Sequence, residues 1–287
     1  MDKHEIKAML DETGLSKISS ELVAFAQMSI RLTATIEFDE NLPIGASKIG
    51  GRPDLPPNYS FPEWKNTPLG FLAQINLANI SKFHTASDLP SSGLLSFFYT
   101  TNQDTWGFDP KDKGSWQVYY FESLENIQRT EFPANLPESG KYQSCTVSFF
   151  EELTMPPFRS SIIEDFDLDL DERKKYIRFE RLFDKLSGNK IKNRILGYPN
   201  AIQGDMPLEC QLVSNGIYCG DAKQNEHLRY KELEPGAKDW KLLLQLDSEE
   251  ETAKMTWGDV GRVYFWIHKT ALENREFEKA WFQLQCY

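Results

Sequence analysis

Three short patterns in this chain each occur twice, in the same order, and they restrict the folds open to it. Lys48-Ile-Gly-Gly-Arg-Pro53 returns as Arg194-Ile-Leu-Gly-Tyr-Pro199. Phe71-Leu-Ala-Gln-Ile-Asn76 returns as Leu242-Leu-Leu-Gln-Leu-Asp247, and Gly93-Leu-Leu-Ser-Phe-Phe98 as Gly261-Arg-Val-Tyr-Phe-Trp266. The offsets (194 − 48, 242 − 71 and 261 − 93) are 146, 171 and 168 residues. The last two nearly agree, and the first differs by about one inserted loop near 204–239. The order points to a duplicated unit of turn, strand and strand. It predicts two related β lobes, over 30–150 and 190–287, packed around one core and joined by a helix at 171–187.

Local periodicity supports strands in these units. Ile30, Leu32, Ala34 and Ile36 alternate with polar residues, the period of a half-buried strand. Further strands are predicted at 71–77, 94–100, 117–122, 145–150, 240–246, 262–267 and 281–286. Between 39 and 70, Pro43, Pro53, Pro56, Pro57, Pro62 and Pro68 exclude a long helix. Phe61 and Trp64 suggest that this stretch packs on the body. The strongest helix runs over 171–187, where Tyr176, Phe179, Leu182, Phe183 and Leu186 recur at helical spacing. Asp169 or Asp171 can cap its start. Shorter helices are expected at 3–13, from Ser19 to about Gln27, and at 270–276. The fold class read from this is α+β: a strand-rich, internally duplicated antiparallel β core with peripheral helices, one compact domain over 1–287.

Composition narrows the function. Hydrophobic residues make up 40% and aromatics 13%, which suffices for a core and excludes disorder as the main state. A net charge of −11, with no run of Lys and Arg, argues against a nucleic-acid partner. No segment approaches the about 20 apolar residues that span a bilayer. The charged N-terminus lacks the apolar core of a secretory signal. A soluble cytoplasmic protein is expected, with Cys145, Cys210, Cys219 and Cys286 as reduced, mostly buried thiols.

Few residues suggest chemistry. In the first glycine turn, the amides of Gly50 and Gly51 could cradle an anion, with Lys48 and Arg52 supplying charge. The plainer reading is a turn that feeds a strand. Gln74 and Gln245 stand at equivalent places in apolar strands, where an unpaired amide would cost about 1–3 kcal/mol. They either bind a ligand in a cleft between the lobes or tie off irregular backbone, and the second reading is favoured. Asp165, Asp167, Asp169 and Asp171 alternate like a calcium loop, but Leu170 and Tyr176 stand at the glycine and bidentate-Glu positions. They read as an acidic linker and helix start. No metal site, no cofactor fingerprint and no catalytic motif is found.

Several segments together resemble the YwqG family of uncharacterised bacterial proteins. They are Ser47–Pro56, Pro68–Leu77, Leu89–Phe98, Leu196–Gln203, Leu243–Asp247 and Trp257–Ile267. The resemblance implies a compact, strand-dominated α+β domain and no named activity. Leu196 replaces a glycine often found there in that family, which weakens an anion nest at the second turn. Two functions are therefore weighed. The first is a protein-binding module, accessory or immunity-like, using loop aromatics such as Trp64, Trp106 and Trp116. The second is a small-molecule binder or enzyme whose cleft is lined by Lys48, Arg52, Gln74, Gln203, Gln245 and Asp259.

Overall fold

A computed structural model describes residues 1–188 and 190–287. Ten of its fourteen strands form one sheet. In chain order the strands are β1 (Gln27–Ile36), β2 (Lys48–Ile49), β3 (Asp54–Leu55), β4 (Glu63–Trp64), β5 (Thr67–Pro68), β6 (Gly70–Asn76), β7 (Leu94–Tyr99), β8 (Trp116–Phe121), β9 (Gln128–Arg129), β10 (Cys145–Thr154), β11 (Arg194–Ile195), β12 (Trp240–Asp247), β13 (Arg262–His268) and β14 (Trp281–Gln285). The helices are α1 (Lys3–Glu12), α2 (Ser19–Ala24), α3 (Ser161–Glu164), α4 (Leu170–Leu186), α5 (Met206–Ser214), α6 (Tyr230–Leu233) and α7 (Lys269–Glu273). The fold is α+β and rich in strand, as the alternating patterns predict.

The large sheet runs β14-β13-β12-β11-β1-β10-β2-β6-β7-β8, and its neighbouring strands pair antiparallel. β1 and β10 form its centre, ten residues against ten, from Gln27↔Thr154 to Ile36↔Cys145. Each central strand carries a two-residue strand on its outer side, β11 beside β1 and β2 beside β10, and then a three-strand wing. The sequence repeats fall on equivalent places in the two wings. Lys48 faces Gln74 as Arg194 faces Gln245. Gln74 faces Ser96 as Gln245 faces Tyr264, and a register shift falls just before both glutamines.

The sheet curls so that its wings face each other. Phe97 meets Phe265 at 5.1 Å, and Tyr99 stacks on Phe282 with ring centroids 4.0 Å apart. Trp116 packs against Trp281 and donates its indole N–H to the Ala280 carbonyl. Residues 101–115, in the connection from β7 to β8, cover the β14 edge, where Leu284 N–H donates to Trp106 O. Trp116 itself belongs to β8 and is buried, so it is no loop anchor.

The outer faces of the wings are covered differently. Over the first lie the proline-rich segment and β9, with Leu55, Leu69, Phe71, Leu94, Phe98, Phe121 and Ile127 in one apolar cluster and Phe61 and Trp64 against it. Over the second lies the longer connection 200–239, which carries α5 and α6. A separate cluster joins α1, α2, α3 and α4 through Ile6, Leu10, Leu22, Ile163, Tyr176 and Phe179. Asp169 caps α4 by accepting from the amides of Asp171 and Glu172, so the alternating aspartates serve a helix start.

Candidate functional site

The two buried glutamines do the same work in both wings. Gln74 Oε1 accepts from the Asp54 amide at 2.9 Å, and its Nε2 donates to Ala46 O at 2.8 Å. Gln245 Oε1 accepts from the Asn200 amide at 2.9 Å, and its Nε2 donates to Lys192 O. Each amide thus spans its own glycine turn, tying the chain two residues before the short strand to the chain six residues after. Neighbouring side chains repeat too: Asn76 N–H donates to Ser47 Oγ, and Asp247 N–H to Asn193 Oδ1. Buried backbone donors and acceptors need partners, and these turns meet that need with side chains.

The positive residue opening each turn is buried. Lys48 Nζ lies 2.7 Å from Asp39 Oδ1 and also donates to Arg52 O. Arg194 donates to Tyr198 O at 2.9 Å and pairs with Glu152 at 3.2 Å. Arg129 adds an ion pair with Asp54 at 2.6 Å. Burial lowers the Lys48 ammonium below its usual range, against the pull of Asp39. Burial alone would raise the Asp39 carboxyl, yet hydrogen bonds from Lys48 and the Arg52 amide hold it below its usual range.

The glycines of the first turn serve close packing. Gly50 and Gly51 have φ of +66° and +70°, and a Cβ on Gly50 would lie 2.2 Å from Gln143 O. Their amides donate to Leu72 O and Tyr142 O. The amides are therefore bonded to carbonyls, and the turn reads as a structural joint instead of an anion nest. Leu196 and Gly197 adopt the same handedness, at +60° and +68°, so Leu196 takes a conformation usually left to glycine.

The sequence candidates consequently fall into separate places. Lys48, Gly50, Gly51, Arg52 and Gln74 gather at the first turn; Gln245 sits behind the second. Gln203 donates to Cys286 O, and its amide N–H reaches Gln285 Oε1. Asp259 is exposed, and its carbonyl meets the Tyr287 amide at 3.5 Å. These residues do not gather in one cleft: Lys48, Arg52, Gln74, Gln203 and Gln245 bond to side chains and backbone of the same chain, and Asp259 lies at the surface.

A cleft does exist, beside the second wing. β11 ends at Ile195 and the chain turns away at Leu196, so the first residues of β1 and β12 are not bridged by it. There a cavity of about 530 Å³ opens between Met28, Tyr198, Met206, Trp240, Leu242 and Trp266, with Asp205, Ser160 and Ser161 on one side. Most of its wall is apolar. Trp266 and Ser160 line it, while their Nε1 and Oγ are buried away from its free space without a hydrogen-bond partner among the described residues. Trp266 is 3% exposed and Ser160 9%. Burial raises the Asp205 carboxyl, although it accepts from the Ser161 amide at 3.1 Å. Burial also pushes the Tyr198 hydroxyl up to about 12, and that hydroxyl accepts from Gln27 Nε2. At the mouth Lys241 pairs with Asp88 at 2.5 Å.

Residues 47–286 match the family described as Domain of unknown function (DUF1963). The chain belongs to that family. No curated protein matches it. The DUF1963 span begins just before β2 and includes both glycine turns, both glutamines and the connection that carries α5. It leaves out β1, which contributes Gln27 and Met28 to the cleft. Sequence reasoning missed the cleft's residues because they come from six separate segments. The one signal was the 25-residue excess of the second connection (171 − 146) over the first. Among the described residues, no helix is long and apolar enough to cross a membrane.

Proposed function

We propose that this DUF1963 protein binds a small organic molecule in the cleft beside its second wing. The carrying observation is the cavity itself: about 530 Å³, with a largely apolar wall and a few polar side chains, among them Asp205, Tyr198 and Ser161, along it. A cavity of this size with few polar groups suits a small ligand. The protein-binding reading is the weaker one, since of the three anchoring tryptophans only Trp106 is largely exposed. On its motifs we also place the chain among YwqG-like bacterial proteins of the cytoplasm, and we take the matched wings as the product of an internal duplication.

The test is equilibrium dialysis against the small-molecule fraction of a host-cell extract, read by mass spectrometry. Met28 is 39% exposed at the mouth, so Met28→Trp can narrow the cleft with little demand on folding. A compound retained by the wild type and lost by that variant is the expected result. Equal retention by both, or none by either, overturns the proposal.

A further inference from the structure

We infer that the outer face of α4 is a docking surface for an acidic helix of a protein partner. The sequence has no run of Lys and Arg to mark it, and the helix assembles it. Lys174, Arg178, Arg181 and Lys185 are spaced four, three and four residues apart, which sets them in one row. All four are exposed. Among the described residues, the ion pairs of α4 are Lys175 with Asp171 and Asp184 with Lys192, and the row takes part in neither. Tyr176 and Phe179, on the opposite side of the helix, are buried in the helical cluster, so the row faces solvent. The surface stands apart from the cleft, which none of the four residues lines.

Two observations point to an occupant and to its shape. Along the row, the neighbours one turn away (174 and 178, 178 and 181, 181 and 185) carry the same sign. Like charges at these spacings weaken a helix, and carboxylates laid along the row relieve that repulsion. The row is also narrow. It covers about 60° of the helix circumference and about 16 Å of its length. Asp171 borders it on one side and Asp184 on the other, and Glu164, Asp165, Asp167 and Asp169 stand exposed before the helix start. A bilayer or a nucleic acid presents negative charge on a wide front, which would meet those acids as well as the cations. A second helix laid alongside is one side-chain row wide. Spacing of four, three and four is that of the seam between helices crossing at a shallow angle, so carboxylates spaced alike on the partner meet all four cations. Leu170, 80% exposed, opens the same face and offers an apolar contact at one end. The net charge of −11 repels such a partner elsewhere, which fixes where it lands.

The probe is a fluorescein-labelled, alanine-rich helical peptide of about 20 residues with glutamates spaced four, three and four apart. Its control has the same composition with the glutamates spread round the helix. Dissociation constants for the full chain are measured by fluorescence anisotropy at low and high salt. The first peptide should bind, more weakly at high salt. Neutralising the row (Lys174→Gln, Arg178→Gln, Arg181→Gln and Lys185→Gln together) should weaken binding about thirty-fold, the scale of four exposed ion pairs. Should that variant not fold, Lys174→Gln with Lys185→Gln decides, with a loss of about five-fold expected. No binding of the first peptide, or an affinity unchanged by these substitutions, overturns the docking surface. Equal affinity for the control peptide overturns the helical spacing. Binding of phosphatidylserine vesicles or of a DNA duplex at lower protein concentration than the peptide overturns the choice of a protein helix.

Discussion

Glu209 shows how one residue of the long connection couples the fold to pH. It lies on α5 and accepts from Gln283 Nε2 at 2.8 Å. Burial raises its carboxyl to about 7, opposed by that bond and helped by Asp205 one turn away. Cys210 and Cys219 are the thiols beside it, and both are themselves raised by burial. A carboxyl raised in the folded state favours folding fully below its ordinary value near 4.5, and that contribution is lost as pH rises through about 7. Glu209→Gln keeps an acceptor for Gln283 and removes the charge. In urea titrations, the variant and wild type should match near pH 4. At pH 8 the variant should be more stable, by up to about 3 kcal/mol. Equal stability at both values would mean that the charged form is accommodated without cost. The glutamines, by contrast, were legible from sequence: a polar amide in an apolar strand had to find partners. Which partners it found was not legible, because Asp54 and Asn200 lie six residues after the first residue of each short strand and only the folded turn brings them back.

At the scale of elements, the strands were read correctly wherever side chains alternate or run apolar, from β1 to β14. The two-residue strands β2 and β11 were seen only as glycine turns, since two residues carry no period. The connection 200–239 gave no periodic signal, yet it holds α5, whose start forms one wall of the cleft. The edge-covering role of the connection from β7 to β8 hangs on one glycine. Gly107 has φ +84°, and a Cβ there would lie 1.9 Å from Phe282 O. The Trp281 indole donates to the Gly107 carbonyl at 2.9 Å. Gly107→Ala should therefore lift the loop from β14, lowering stability by about 2–4 kcal/mol, through steric conflict and a lost buried hydrogen bond. Hydrogen exchange should then accelerate at Leu284, whose amide donates to Trp106 O. Unchanged exchange there would show that the loop does not protect the edge. An exposed edge also promotes association between chains, so the variant should be more prone to aggregate.

For the molecule as a whole, the repeated patterns predicted two related lobes packed around one core, but not which strands and rings would join them. Two lobes around a cleft would have separate cores, whereas here residues of both wings belong to one apolar cluster. Tyr99 from the first wing stacks on Phe282 from the second, and Phe97 meets Phe265. The central strands β1 and β10 belong to both halves, because each pairs with the other and with the short strand of a different wing. Neither wing can then hold its inner face without the other, and unfolding should be one cooperative event. Phe282→Ala opens a cavity in that shared core and should cost about 3–5 kcal/mol. Its urea transition, followed by far-ultraviolet circular dichroism and by tryptophan fluorescence, should shift to lower urea at both probes together. Two separated transitions, with only the second wing's signal lost early, would show that the halves are independent bodies. The asymmetry of the wings matters to function for the same reason: with the core shared, the two halves are free to differ only on their outer faces. On one such face the chain seats its own Phe61; on the other it builds the cleft.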